Sequence, residues 1–334
     1  MTKKLIPGWT HHPGWHCAST ALADAAAFLG RPLSEAMCFG LGAGLGFAYI
    51  PGDFLNPTRF TATRSRILET NFFLNLGLER AWLMDPDPEH ALVEIKAAAD
   101  RGVPTLLRAD IFHLDYYQTK THFPGHVILF WGYDDATGEA FVADTERPEL
   151  QPVPQQSLKQ ARYSKQPGYP TQADHLWVDW TWPSRDLRPA VRRALLKQAG
   201  DLFKPEFGEA NIFGFPALKR AVNEMPNWGQ AKDWQWSARW LYQVIEKRGT
   251  GGGAFRKLYG LFLREAAALF PELEKIAPAA EMLAIAERWS ELSRRLKEIS
   301  EKEKPGGFDR AAALLAEIYE RERAMMEKLL TWQP

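Results

Sequence analysis

The chain has 334 residues, more than one average domain of roughly 100 to 200 residues, so two domains are expected. Lysine plus arginine number 41 and aspartate plus glutamate 41, which sets the net formal charge at zero and offers no basic stripe to a nucleic-acid backbone. The start, MTKKLIPGW, meets a Pro-Gly pair after two apolar residues, too soon for a signal-peptide apolar region, and no later run reaches the roughly 18 apolar residues of a membrane span. The expectation is a cytoplasmic protein with neither nucleic acid nor membrane as partner.

The first helix is predicted from Cys17, where CASTALADAAAFLG places Leu22, Ala26 and Leu29 at helical spacing and stops at Gly30 before Arg31 and Pro32. Cys38, in the apolar run AMCFGLGAGLGFAYI, reads as a small buried hydrophobe. A second helix is predicted from Pro88 to about Arg101, closing on Gly102, followed by a strand over Val103–Asp110 and a polar loop over Phe112–Gly125. His126 then opens the apolar, β-branched run HVILFWGY. The turn DDATG leads into EAFVAD, which ends at Asp144. That hairpin, symmetric about Asp135, makes residues 126 and 144 near neighbours.

From Thr145 to about Trp182 the chain is rich in proline, glutamine and polar residues, broken by the short apolar piece HLWVDW. A boundary is expected there: a catalytic domain over 1–165, a linker over 166–182 and an α-helical domain over 183–334. In the last of these RPAVRRALLKQAGDLF, FPALKRAVNEM and SARWLYQVIEK precede three longer amphipathic helices with stripes such as Met282, Ile285, Trp289, Leu292, Leu296 and Ile299, which read as core faces.

Two cysteines in a chain of this size do not make a disulfide framework. Cys17 at a helix N-terminus sits where unpaired amides favour a thiolate, and the same amides suit an oxyanion formed when sulfur attacks an acyl carbon. His11, His12 and His16 lie in the preceding loop. His16 is a poor base because sequence neighbours seldom face one another, whereas His11 and His12 are candidate oxyanion donors. His126, at the head of a strand after a Pro-Gly turn, is the candidate base, with Asp144 to fix its tautomer as the third member of a triad. Asp110 and Asp115, in the loop bordering the expected cleft, are candidates for gripping a cationic amine. His122 and His126 have helix-face metal spacing, but Pro124 and Gly125 break that helix and no metal is expected. Gly251–Gly253 with Arg256 lacks the lysine and hydroxyl residue of a P-loop and reads as a helix-entry loop.

The order of cysteine, histidine and aspartate over the first 150 or so residues resembles papain-like cysteine enzymes, especially the bacteriocin-processing peptidase branch. The runs HCASTAL, VPTLLRADIFHLDYY, HVILFWGYDDATGEAFVADT and TGGGAFRKLYGLFLREAA are similar to the butirosin biosynthesis protein H family, a likeness that spans both domains. It implies an α+β fold, a papain-like cysteine domain followed by a helical domain. It also implies an acyltransferase with a Cys17, His126, Asp144 triad that moves an acyl group from a carrier-protein thioester to a small-molecule amine in natural-product biosynthesis. No cofactor is then bound, since the phosphopantetheine arrives on the donor. One departure is His11, which stands where the peptidase pattern has an oxyanion-hole glutamine six residues before the cysteine. Two other readings use the same residues: a cysteine peptidase or amidase, in which water resolves the acyl-enzyme, and a silent binding or scaffold protein with Cys17 merely buried.

Overall fold

The computed structural model describes residues 3–166, 170–205 and 211–333. Residues 1–2 of the expected apolar-poor start, 167–169 of the expected linker, and 206–210 and 334 of the expected helical domain lie outside them. In chain order the elements begin β1 (Lys3–Leu5), α1 (Cys17–Phe28), α2 (Glu35–Leu41), β2 (Leu45–Pro51), β3 (Arg59–Arg64), α3 (Leu68–Leu76) and α4 (Pro88–Asp100). They continue β4 (Thr105–Ala109), β5 (His126–Asp134), β6 (Glu139–Asp144), β7 (Arg147–Pro154), α5 (Gln155–Ala161) and β8 (His175–Trp177). Six helices follow: α6 (Arg188–Phe203), α7 (Gly214–Glu224), α8 (Trp234–Glu246), α9 (Arg256–Leu269), α10 (Pro278–Ser300) and α11 (Phe308–Thr331). The class is α+β, and no helix among the described residues is long and apolar enough to cross a membrane.

Two compact units divide the chain, and neither is continuous: Met1–Cys38 with Gly77–Arg185, and Phe39–Leu76 with Asp186–Pro334. The expected boundaries stood at 165 and 183. Residues 175–177 are not linker but β8, paired with β4 through Thr105↔Trp177 and Leu107↔His175. Trp180 is buried, and the Arg31 guanidinium lies over the Trp182 ring and donates to the Ser184 and Arg185 carbonyls, which carries the first unit to Arg185. Residues 39–76 leave the expected first domain because the hairpin β2–β3 finds its hydrogen-bond partners in later helices. Gln198 bonds both backbone groups of Leu45, Trp240 Nε1 donates to the Thr61 carbonyl, and Thr63 Oγ1 donates to that of Val244.

In the first unit an antiparallel sheet runs in the order β7-β6-β5-β4-β8, with β1 also paired to β5. The apolar run that predicts β5 is buried along nearly its whole length, and alanine-rich α1 packs on β5 and β6. At Gly132 the edge strand comes so close that a Cβ would sit 2.2 Å from the Lys4 carbonyl oxygen, so only glycine fits. Beside it, β5 carries one extra residue: Phe130 opposes Val142 but Gly132 opposes Phe141, leaving Trp131 as a bulge whose Nε1 donates to the Ile6 carbonyl at 2.7 Å.

That bulge decides the geometry of the site. Leu129 opposes Ala143, so extending the register by one pair puts Asp144 across from Ile128, two residues from His126 rather than opposite it as expected. His126 and Asp144 are then a diagonal pair on one face of the sheet. Had the register of the outer hairpin continued without the extra residue, Asp144 would face the opposite side.

In the second unit the apolar stripes of α10 and α11 are buried as core faces. The Gly251–Phe255 segment before α9 holds five successive positive φ angles, three on glycines and two on Ala254 and Phe255. Its Gly252 amide donates to Thr250 Oγ1 and its Gly253 amide to Glu246. Arg256 is fully buried in a two-point pair with Glu322 and also donates to the Thr63 and Ala254 carbonyls.

Candidate active site

Cys17 is the first residue of α1, and His16 is its N-cap, with extended backbone and an imidazole Nδ1 that accepts from the Ser19 amide at 3.3 Å. The turn before it is fixed by Glu35, whose carboxylate accepts from the amides of Trp15 at 3.0 Å and His16 at 2.7 Å and from Ser19 Oγ at 3.2 Å. Burial raises the Glu35 carboxyl, with those amide bonds pulling the other way. The same loop is tied to the end of β6 by the Gly14 amide, which donates to the Thr145 carbonyl at 2.8 Å.

His126 Nε2 lies 2.8 Å from Asp144 Oδ1, and both side chains are almost wholly buried. The Cys17 side chain neighbours His126 and acts on its charge. Because Nε2 is committed to the carboxylate, Nδ1 is the ring nitrogen left for sulfur. Thr145 Oγ1 donates to Asp144 Oδ1 at 2.9 Å and Tyr116 donates to Oδ2 at 2.7 Å. Thr145 is β-branched yet has φ 23°, a strained backbone beside the carboxylate that the Gly14 bond helps to hold.

The electrostatics follow from this packing. Burial alone pulls the His126 imidazolium down, but the Asp144 carboxylate, its hydrogen bond and the Cys17 sulfur outweigh burial and raise it to about 10. Burial likewise pushes the Asp144 carboxyl up, and the His126 charge with the bonds from His126, Tyr116 and Thr145 holds it below the usual carboxylate range. The folded-state value of His126 exceeds its unfolded one, so its contribution to stability is full below the ordinary histidine value and is lost as pH rises through about 10. A thiol beside an imidazole at a helix N-terminus is equipped, once ionised, to attack an electrophilic carbon and then move a proton.

The other expected residues have different places. His11 Nδ1 binds the buried Asp24 carboxylate at 2.6 Å, and Asp24 lies seven residues, roughly 10 Å of helix rise, beyond Cys17. Burial pulls His11 down, and Asp24, the Thr145 backbone and Asp144 together outweigh it. The His12 side chain is exposed. Asp110 is a structural anchor: its carboxylate accepts from the Phe112 and Phe123 amides, from Ser164 Oγ at 2.8 Å and from His122 Nδ1 at 2.8 Å, which leaves no side open to an amine. Asp115 is exposed and at most 3.5 Å from Ser157 Oγ. His122, stacked on Phe112, and His126 go to different carboxylates. Tyr116, Tyr117, Glu35 and Arg147 complete the site without having been singled out. The available signal was two tyrosines at the end of the run VPTLLRADIFHLDYY, aromatic residues in an otherwise polar loop.

Two family models match the chain. One, described as butirosin biosynthesis protein H, N-terminal, covers residues 16–145, which hold Cys17, His126 and Asp144. The other, a domain of unknown function (DUF4872), covers residues 156–329, just over half of the chain. No curated protein matches it. The chain therefore belongs to the butirosin biosynthesis protein H family, with the N-terminal domain of that name followed by a DUF4872 domain.

Proposed function

We propose that the chain is a cysteine-dependent acyltransferase of papain-like type, which moves an acyl group from a thioester donor to a small-molecule amine through an acyl-Cys17 intermediate. The observation that carries this reading is the thiol, imidazole and carboxylate chain, with Nε2 of His126 held on Asp144 and the other ring nitrogen left for Cys17. The family description supports a place in natural-product biosynthesis. The Cys17 thiolate adds to the thioester carbon, the donor thiolate leaves and the His126 imidazolium returns a proton to it. An amine then adds to the acyl-enzyme and gives its proton to His126 as the Cys17 thiolate departs, so thioester plus amine yields amide plus thiol. The amides opening α1 suit the oxyanion of both steps. A phosphopantetheine arm on a carrier protein is the donor this chemistry fits best, because it delivers a thioester and releases a thiol.

The partner of the second step separates this reading from hydrolysis. With Cys17 loaded and the donor removed, the acyl-enzyme should decay faster with at least one member of a panel of polyamines, amino acids and aminoglycosides than in buffer, by tenfold or more, since a held nucleophile gains several kcal/mol, on the order of 7 to 11 at the limit. Decay in buffer as fast as with every amine would make the protein a hydrolase.

A further inference from the structure

We propose that Tyr116 and Tyr117, gripped by Arg147, are positioning residues that keep Asp144 ionised and His126 turned toward Cys17. The inference rests on the Cys17–His126–Asp144 reading but not on acyl transfer. Four observations carry it. Tyr116 Oη donates to Asp144 Oδ2 at 2.7 Å, whereas His126 and Thr145 both approach Oδ1. Tyr117 Oη lies 3.1 Å from His126 Nε2, and its ring stands edge-on to the imidazole with centroids 5.4 Å apart, covering the edge where the Nε2 bond to Asp144 is made. The Arg147 guanidinium lies over both rings, 4.7 Å and 4.9 Å from their centroids, and its Nη2 donates to the Tyr116 carbonyl at 3.2 Å. Finally, Arg147 is the register partner of Asp144 across the tight turn at Thr145 and Glu146, so one hairpin fixes both the carboxylate and the cation that holds the two tyrosines.

The physical consequence is specific. A buried carboxylate that loses a charge-assisted hydrogen bond is destabilised as an anion. A guanidinium over a phenol ring polarises the O–H and strengthens it as a donor. Both tyrosines stay neutral because burial and the Asp144 charge raise them, so the Tyr116 hydroxyl donates to the carboxylate while the Tyr117 oxygen faces the Nε2 N–H as an acceptor. The groups facing the His126–Asp144 pair are Cys17 on α1, His11 in the loop before α1, Tyr116 and Tyr117 in the loop after β4, and Arg147 on β7. Among these, the two phenols touch the dyad by hydrogen bond while contributing no charge of their own, so removing a hydroxyl changes the anion's solvation and not the formal charge of the site. When Asp144 takes a proton, His126 loses its counter-charge and Cys17 its stabilised thiolate.

The test reads Cys17 alkylation by iodoacetamide against pH in the full chain carrying Cys38→Ala, with the 15N shift of His126 Nε2 followed across the same range. Tyr116→Phe, which keeps the ring and removes the hydroxyl, should move the acid limb of alkylation up by about one pH unit, with the plateau rate within about twofold of the parent and the same midpoint in the Nε2 shift. Tyr117→Phe should move it in the same direction. A tyrosine that merely packs would lower the plateau or the melting temperature and leave the limb in place. Limbs and Nε2 midpoints unmoved in both folded variants would overturn the proposal. Alkylation needs no acyl donor, so a shifted limb in a protein that no thioester acylates would keep the positioning role and remove the acyltransferase reading.

Discussion

Replacing Cys17 by alanine should reduce turnover to the uncatalysed background, a loss of roughly four orders of magnitude or more, with the melting temperature nearly unchanged. Alanine suits the first turn of α1, where Ala18 and Ala21 are already buried neighbours, so the variant loses the nucleophile and little packing. Cys38, fully buried in α2, should tolerate alanine with activity retained. His126→Ala should nearly abolish acylation, while Asp144→Asn should leave donor binding intact and slow the reaction by about 10²- to 10⁴-fold, because an amide can present its N–H to the imidazole and select the wrong tautomer. The losses should not add. If the His126→Ala, Asp144→Asn double variant lost the sum of the two single free energies, the residues would be independent and the hydrogen-bonded unit seen at 2.8 Å would have no functional meaning.

The largest effect on stability is expected in the second unit. Arg256 and Glu322 are both 0 % exposed at their side chains and share two hydrogen bonds, of 3.0 Å and 2.7 Å. The Trp289 indole N–H also donates to Glu322, at 3.2 Å, and its ring lies under the guanidinium. Glu322→Gln leaves a buried guanidinium without its counter-charge and should cost about 3 to 5 kcal/mol. Exchanging both residues for apolar ones of similar size, often harmless for a simple buried pair, should here remain costly because the Thr63 and Ala254 carbonyls lose their donor as well. Thermal unfolding of the full chain measures both, and a Glu322→Gln protein that melts within a degree or two of the parent would show that the pair is not what anchors β3 to the helices.

Cys17, His126 and Asp144 were legible because each sits at the end of an element whose boundary has a local signature: a helix start, the head of an apolar run, and a strand end fixed by the DDATG turn. Their register was not. The bulge at Trp131 depends on β1 approaching Gly132 and on the Ile6 carbonyl taking the indole N–H, contacts more than 120 residues apart in the chain. The same reason hid the division into units. Residues 39–76 follow the cysteine helix directly, yet the partners of β2 and β3 lie in α6 and α8, and three-residue β8 is too short to show a period of two. His11 was drawn to the cysteine by its spacing, whereas its ring answers to Asp24 on α1. The amphipathic helices of the second unit were legible in outline, since their stripes depend only on the helical period.

Acyl transfer through Cys17 is read out by intact mass after incubation with a panel of acyl thioesters, including acyl-phosphopantetheine carried on an acyl carrier protein. The mass should increase by the acyl group, mapped to the peptide that contains Cys17, absent from Cys17→Ala and discharged when the amine acceptor is added. Acylation at Cys38 or at lysines to the same extent in both proteins, or no adduct with any donor from a protein whose Cys17 is reactive toward iodoacetamide, would contradict it.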